Sequence, residues 1–125
     1  MAVNGADPLA PPKAERWRID DILRHAQAGR LQVPVFQRSF LWGKDDVRNL
    51  FDSIYRGYPV GSLLIWRTRP APHAEARFGP FLFAASEHES LLLIDGQQRA
   101  TSLVATMLGA GERDQRFNVF FNLKL

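Results

Sequence analysis

The chain has 125 residues, 46% of them apolar and 23% charged, with a formal net charge of +3. That suffices for one domain with its own core, and the charge is too small and too scattered to make nucleic acid the default partner. The absence of cysteine rules out disulfides and thiolate chemistry and fits a reducing, cytoplasmic setting. No apolar run is long enough to span a membrane, and Met1 to Pro12 lacks the basic-then-apolar order of a secretory signal.

Residues 1–16 read as a flexible leader, mixing Gly, Ala, Asn and Pro without periodicity, and 17–125 as one domain, a fragment of a longer protein. Trp17-Arg18-Ile19 reads as a short extended piece. Asp20 is expected to cap a helix over 21–28, with Ile22, Leu23 and Ala26 on one face and Gly29 closing it. Leu31-Gln32-Val33 reads as a short strand that Pro34 ends or places at an edge. The stretch from Val35 to Trp42 follows, with Phe36, Phe40 and Trp42 expected as core or cleft walls. Gln37 and Arg38 sit among them, and a buried amide or guanidinium must be paired. Two readings stand: a bracing network between loops, or a pair that faces a ligand.

Gly43-Lys44-Asp45-Asp46 opens the clearest helix. Val47, Leu50, Phe51 and Ile54 recur at helical spacing, Asp45 and Asp46 favour the positive end, and Gly57 with Pro59 stops it. Asp52 and Ser53 fall off the apolar stripe, and Tyr58 is expected to pack back on the helix. Ser62 to Trp66 reads as a buried strand, and 70–90 as a long irregular connection with a strand at Phe81-Leu82-Phe83. His25, His73 and His88 have no metal-ligand spacing. Leu91 to Ile94 is the expected core strand. A helix then starts at Gln98 or Arg99 and runs to Leu108, its inward stripe Ala100, Leu103, Val104 and Met107. Phe117 to Leu123 reads as a last strand.

The chemistry concentrates at Asp95-Gly96-Gln97-Gln98-Arg99, where a strand turns into a helix. Such a turn offers backbone N–H groups and the positive end of a helix dipole, and arginine adds a planar fork of donors suited to phosphate. No Walker pattern or dinucleotide fingerprint is present. Asp95 has three readings: it holds Mg²⁺ through water, it orients a water for attack on phosphate, or it caps the helix. Gln97 and Gln98 suit a water, a base or a ribose, and Thr101 in the first turns could reach a phosphate. Arg99 would neutralise charge developing on a phosphoryl group. The basic residues are 13 Arg and 3 Lys, an excess that suits phosphate and that GC-rich coding also produces.

Three blocks in order carry a family resemblance: Val33 to Trp42, Leu50-Phe51-Asp52-Ser53-Ile54 with Gly57 to Ser62, and Asp95-Gly96-Gln97-Gln98-Arg99. Together they resemble the family called domain of unknown function 262, the N-terminal, ParB-like domain of GmrS-type and related restriction proteins. The resemblance implies an α+β, ParB- and sulfiredoxin-like fold, a small mixed sheet with packed helices. It implies nucleoside triphosphate binding and hydrolysis, with Mg²⁺, in the regulatory domain of a system directed at phage with modified DNA. By that carry-over Asp95, Gln98 and Arg99 are the catalytic candidates and Asp95 the metal ligand. Gln37, Arg38, Gly96, Gln97 and Thr101 are the nucleotide-binding candidates. Full-length relatives carry a C-terminal nuclease domain of the His-Asn-His type, which this sequence lacks. Two other functions stay open beside it: a DNA-binding or modification-sensing module without turnover, and a structural or homo-oligomerising domain whose polar motif braces the fold.

Overall fold

A computed structural model describes residues 14–36 and 39–120. Three helices and five strands follow in the order α1 (Ile19–Gln27), β1 (Leu31–Pro34), α2 (Lys44–Tyr55), β2 (Leu64–Thr68), β3 (Ala74–Phe78), β4 (Phe81–Phe83), β5 (Ser90–Asp95) and α3 (Gln97–Met107). Two short 3-10 turns, Ala110–Glu112 and Gln115–Phe117, come last. The strands form one sheet in the order β2-β5-β1-β3-β4. β1 and β5 run parallel at its centre, and every other pair is antiparallel. This is the α+β class with a small mixed sheet and packed helices that the sequence implies.

The period-2 alternation of central strands puts Leu31 and Val33 on one face with Leu91 and Leu93. Ile22 and Ala26 of α1, Val47, Leu50 and Phe51 of α2, and Ala100, Leu103 and Val104 of α3 close over that face as a single core. On the other face Gln32 is buried, yet satisfied: its amide donates to the Gly29 carbonyl at 2.7 Å and accepts from the Ser90 hydroxyl at 2.9 Å. Ser90 in turn accepts from the Ala71 amide at 3.1 Å, so one polar chain ties β1, β5 and the connection after β2.

Several expectations are corrected. Helix α1 begins at Ile19, so the expected extended piece at 17–19 is already turning into helix. Its N-terminus is closed by the Asp21 carboxylate, which accepts from the Arg18 amide at 2.8 Å, and not by Asp20. A carboxylate two residues inside the helix reaches back as well as one at the cap. Strand β2 is an edge strand, not a buried one, with Leu64 and Trp66 about half exposed. Its apolar run misled because an edge strand covered on one face still carries large residues on the other. The irregular connection contains a second strand, β3, whose Ala76 and Phe78 are buried. Charged Glu75 and Arg77 alternate with them and hid the pattern. Phe36 is 82% exposed and walls nothing among the described residues, and Tyr58 is exposed too. In α3, Met107 faces out, and Thr101, Ser102 and Ala105 are buried in its place. The start of the last expected strand is a 3-10 turn that buries Phe117, and 118–120 form no strand. Residues 121–123 of that strand, and 1–13 of the expected leader, lie outside the described residues.

Candidate functional site

Strand β5 ends at Asp95, Gly96 turns the chain at φ +96°, and α3 begins at Gln97. Positive φ is the conformation that glycine alone adopts without strain. Glycine also makes room here, because a Cβ on Gly96 would lie 2.4 Å from Leu63 Cδ2 and 3.2 Å from Arg99 Nη2. Gly61, at φ +93°, does the same from the other side, since its Cβ would stand 3.2 Å from Arg99 Cζ. The Arg99 guanidinium thus lies on a shelf of two glycines that are far apart in sequence.

One Arg99 nitrogen, Nη2, donates to the Ser62 carbonyl at 2.6 Å. Its Nε is buried with no hydrogen-bond partner, and no carboxylate of the described residues pairs with the guanidinium. A buried donor left unpaired costs about 1–3 kcal/mol, more when the group is charged, so arginine is an expensive choice here if packing alone were at stake.

Arg99 borders a groove of about 350 Å³. One wall is a face of α2, where Asp46, Asn49, Leu50 and Ser53 follow at i, i+3, i+4 and i+7. Pro59, Val60 and Trp42 complete the lining. Trp42 therefore does wall a cleft, as expected. Asp46 also accepts from the Gly43 amide at 3.0 Å, which fixes the start of α2.

Gln98 faces the loop before α2. Its amide oxygen accepts from the Leu41 and Trp42 amides at 2.9 and 3.1 Å, and its nitrogen donates to the Ser39 carbonyl at 3.3 Å. Arg116 grips the same loop from the opposite end of the chain. It donates to the Phe40 and Trp42 carbonyls at 3.1 and 3.4 Å, with its guanidinium 4.9 Å from the Phe40 ring centre. The Asp114 carboxylate bonds Arg116, and this holds Asp114 below its ordinary carboxylate range and Arg116 above its own.

Of the sequence candidates, the structure brings Arg99 and Gly96 together. Asp95 is exposed at the end of β5, and its carboxylate makes no hydrogen bond or ion pair with a described residue. It is not the helix cap, because Gly96 holds that position. Gln97 is half-buried and engaged. Thr101 is 3% exposed inside the fold and does not line the groove. Gln37 and Arg38 lie outside the described residues. Among the described residues no three His, Asp or Glu side chains gather as metal ligands. Magnesium asks for less, since it keeps waters and takes one or two carboxylates beside the phosphates of its ligand, and an uncommitted Asp95 fits that donor set.

Sequence reasoning missed Asn49, Ser53 and Arg116. The polar stripe at 46, 49 and 53 was visible beside the apolar one on α2. Nothing local could have tied Arg116 to a loop 74–76 residues away. Part of the arginine excess is engaged in ion pairs: Arg24, Arg48, Arg56, Arg67, Arg77 and Arg116 each sit against a carboxylate.

A mixed α+β domain is what the sequence blocks implied. Residues 19–124 match the family of the GmrSD restriction endonuclease N-terminal domain, and the chain belongs to that family. Its five-stranded sheet with three packed helices agrees with the ParB- and sulfiredoxin-like fold of the family. The match fills nearly the whole sequence, so these 125 residues hold no separate nuclease domain. An uncharacterized protein of Methanocaldococcus jannaschii is 30% identical over 92 residues, covering 66% of this chain. The match takes in 15% of that protein's length. No solved structure matches the chain. No helix among the described residues is long and apolar enough to cross a membrane.

Proposed function

We propose that this domain binds a nucleoside triphosphate as the regulatory part of a restriction system acting in phage defence. The observation that carries the reading is Arg99: a guanidinium on a glycine shelf, with an orphaned Nε and no carboxylate partner among the described residues, at the border of a groove. In such a setting an anionic ligand supplies the missing counter-charge, and arginine matches phosphate geometry through paired N–H donors. The first turn of α3 adds its dipole to the same end.

Asp95 holds Mg²⁺ through water in this reading, and the metal would supply charge neutralisation on the phosphates. Gln98 acts as a positioning residue, because its amide is committed to the loop that carries Trp42. Gln37 and Arg38 remain nucleotide contacts of the proposal, two and one residues before Ser39, whose carbonyl is bonded to Gln98.

The test is equilibrium binding of ATP, GTP, CTP and UTP with Mg²⁺, by calorimetry, to the wild type and to Arg99→Ala, together with phosphate release. Binding of at least one nucleotide that Arg99→Ala abolishes is the expected result. A wild type that binds none at high concentration sinks the proposal. Duplex DNA with and without base modification belongs in the same assay. Binding that weakens steeply with salt and ignores Arg99 would favour the modification-sensing module instead.

A further inference from the structure

We propose that α2 reads the nucleoside: Asn49 and Ser53 hydrogen-bond the base or ribose of the nucleotide whose phosphates lie on Arg99. The inference rests on the nucleotide reading above and adds where the uncharged half of the ligand goes.

A groove of about 350 Å³ falls within the range of small-molecule ligand sites. Its lining divides by chemistry. Among the described residues Arg99 is the one cation that lines it. Asp46 lines it as well, and a carboxylate repels phosphate, so the ligand's phosphates belong with Arg99 and its donor-bearing part toward α2. Ribose hydroxyls and base amino groups are such donors.

The apolar part of the wall is Trp42, Leu50, Pro59 and Val60, surfaces that suit a flat ring. Asn49 and Ser53 stand on the same wall. Neither the Asn49 amide nor the Ser53 hydroxyl makes a hydrogen bond to a described residue. An amide offers one acceptor and two donors, which fits the edge of a base, and a hydroxyl fits either a base or a sugar. Side chains committed to no internal contact can be changed without disturbing the core beneath them, where Val47, Leu50 and Phe51 do the packing.

The experiment compares inorganic triphosphate with the four nucleoside triphosphates on the wild-type chain, Asn49→Ala, Ser53→Ala and Arg99→Ala. Each lost hydrogen bond is expected to weaken the preferred nucleotide about five- to tenfold in Asn49→Ala and Ser53→Ala. Inorganic triphosphate binding should stay unchanged in both and fall in Arg99→Ala. Nucleotides that bind Asn49→Ala and Ser53→Ala as tightly as wild type, while Arg99→Ala loses them, overturn this inference and leave the phosphate site standing. Failure of the wild type to bind either triphosphate or nucleotide overturns both. Circular dichroism of each variant checks that the fold is intact.

Discussion

Replacing Gln98 by alanine separates a chemical role from a positioning one. The substitution removes three hydrogen bonds at once, two accepted from Leu41 and Trp42 and one donated to Ser39. Net values of about 0.5–1.5 kcal/mol each would give up to about 4 kcal/mol. Ser39 and Leu41 are exposed, so water takes over part of the bonding, and about 1–3 kcal/mol is the expected loss. For a domain of this size that is a fall in Tm of roughly 3–12 °C. The loop should loosen without detaching, because Arg116 still holds the Phe40 and Trp42 carbonyls. Gln98→Glu is the sharper companion. Its carboxylate can accept from both amides, while the oxygen that replaces the nitrogen faces the Ser39 carbonyl. The Glu variant should therefore recover part of the lost stability near neutral pH and more on acidification, when the protonated acid supplies the donor that Ser39 lacks. Thermal denaturation measures stability, and calorimetry with the bound nucleotide measures affinity, which should weaken in step with the displaced Trp42. A Gln98→Ala chain as stable as wild type that loses hydrolysis tenfold or more would refute the clamp and make Gln98 a participant in the chemistry.

Gly61→Ala forces a side chain into a left-handed backbone at about 1–2 kcal/mol and pushes the guanidinium of Arg99, so inorganic triphosphate should bind more weakly. Gly57→Ala, at φ +76° with nothing within 4 Å, should cost similar stability and leave that affinity alone. Ser90→Ala removes the donor to Gln32 and the acceptor for the Ala71 amide in a fully buried site, and urea denaturation should show a loss of about 1–3 kcal/mol. His25 has its pKa lowered below 6.5, by burial first and then by Arg30, Arg24 and Arg67, with Asp21 opposing. Between the two values the unfolded chain binds the extra proton, so this contribution is intact above 6.5 and is lost as pH falls through the folded value. An NMR titration of His25 checks the direction, and a midpoint above 6.5 would contradict it.

The parts of this fold that were legible in sequence are those where one local pattern decides. Val47, Leu50 and Phe51 recur at helical spacing and are buried as a stripe. Leu91 and Leu93 are flanked by turn chemistry and form the central strand. Illegible were the features that depend on a distant partner. Whether Leu64 and Trp66 are inside depends on what covers their face of the edge strand β2, and both stay about half exposed. Strand β3 is visible only once β1 pairs with it, at Val33 with Glu75. The start of α3 was placed one or two residues late because Gly96, and not a side chain, ends β5 and begins the helix.

The site shows the same division more sharply. Its motif was readable as a strand that turns into a helix with an arginine in the first turn, and the structure keeps that order. The work of placing Arg99 is done elsewhere: Gly61 and Ser62, 37–38 residues upstream, give it a shelf and an acceptor. Gln98 points away from Arg99's acceptor and ties the motif to 39–42, the loop that begins the groove-forming helix. Adjacent residues of one motif therefore serve two walls of one groove. A substitution at Gln98 and one at Arg99 would look alike in an activity assay, yet they differ physically. Loss of Gln98 moves a wall and costs stability, whereas loss of Arg99 removes a half-buried charge whose Nε is a buried, unpaired donor and should leave stability equal or higher. Measured side by side, Arg99→Met more stable than wild type and unable to bind triphosphate is the expected result. Arg99→Met that unfolds several degrees earlier would instead make the arginine a brace of the fold.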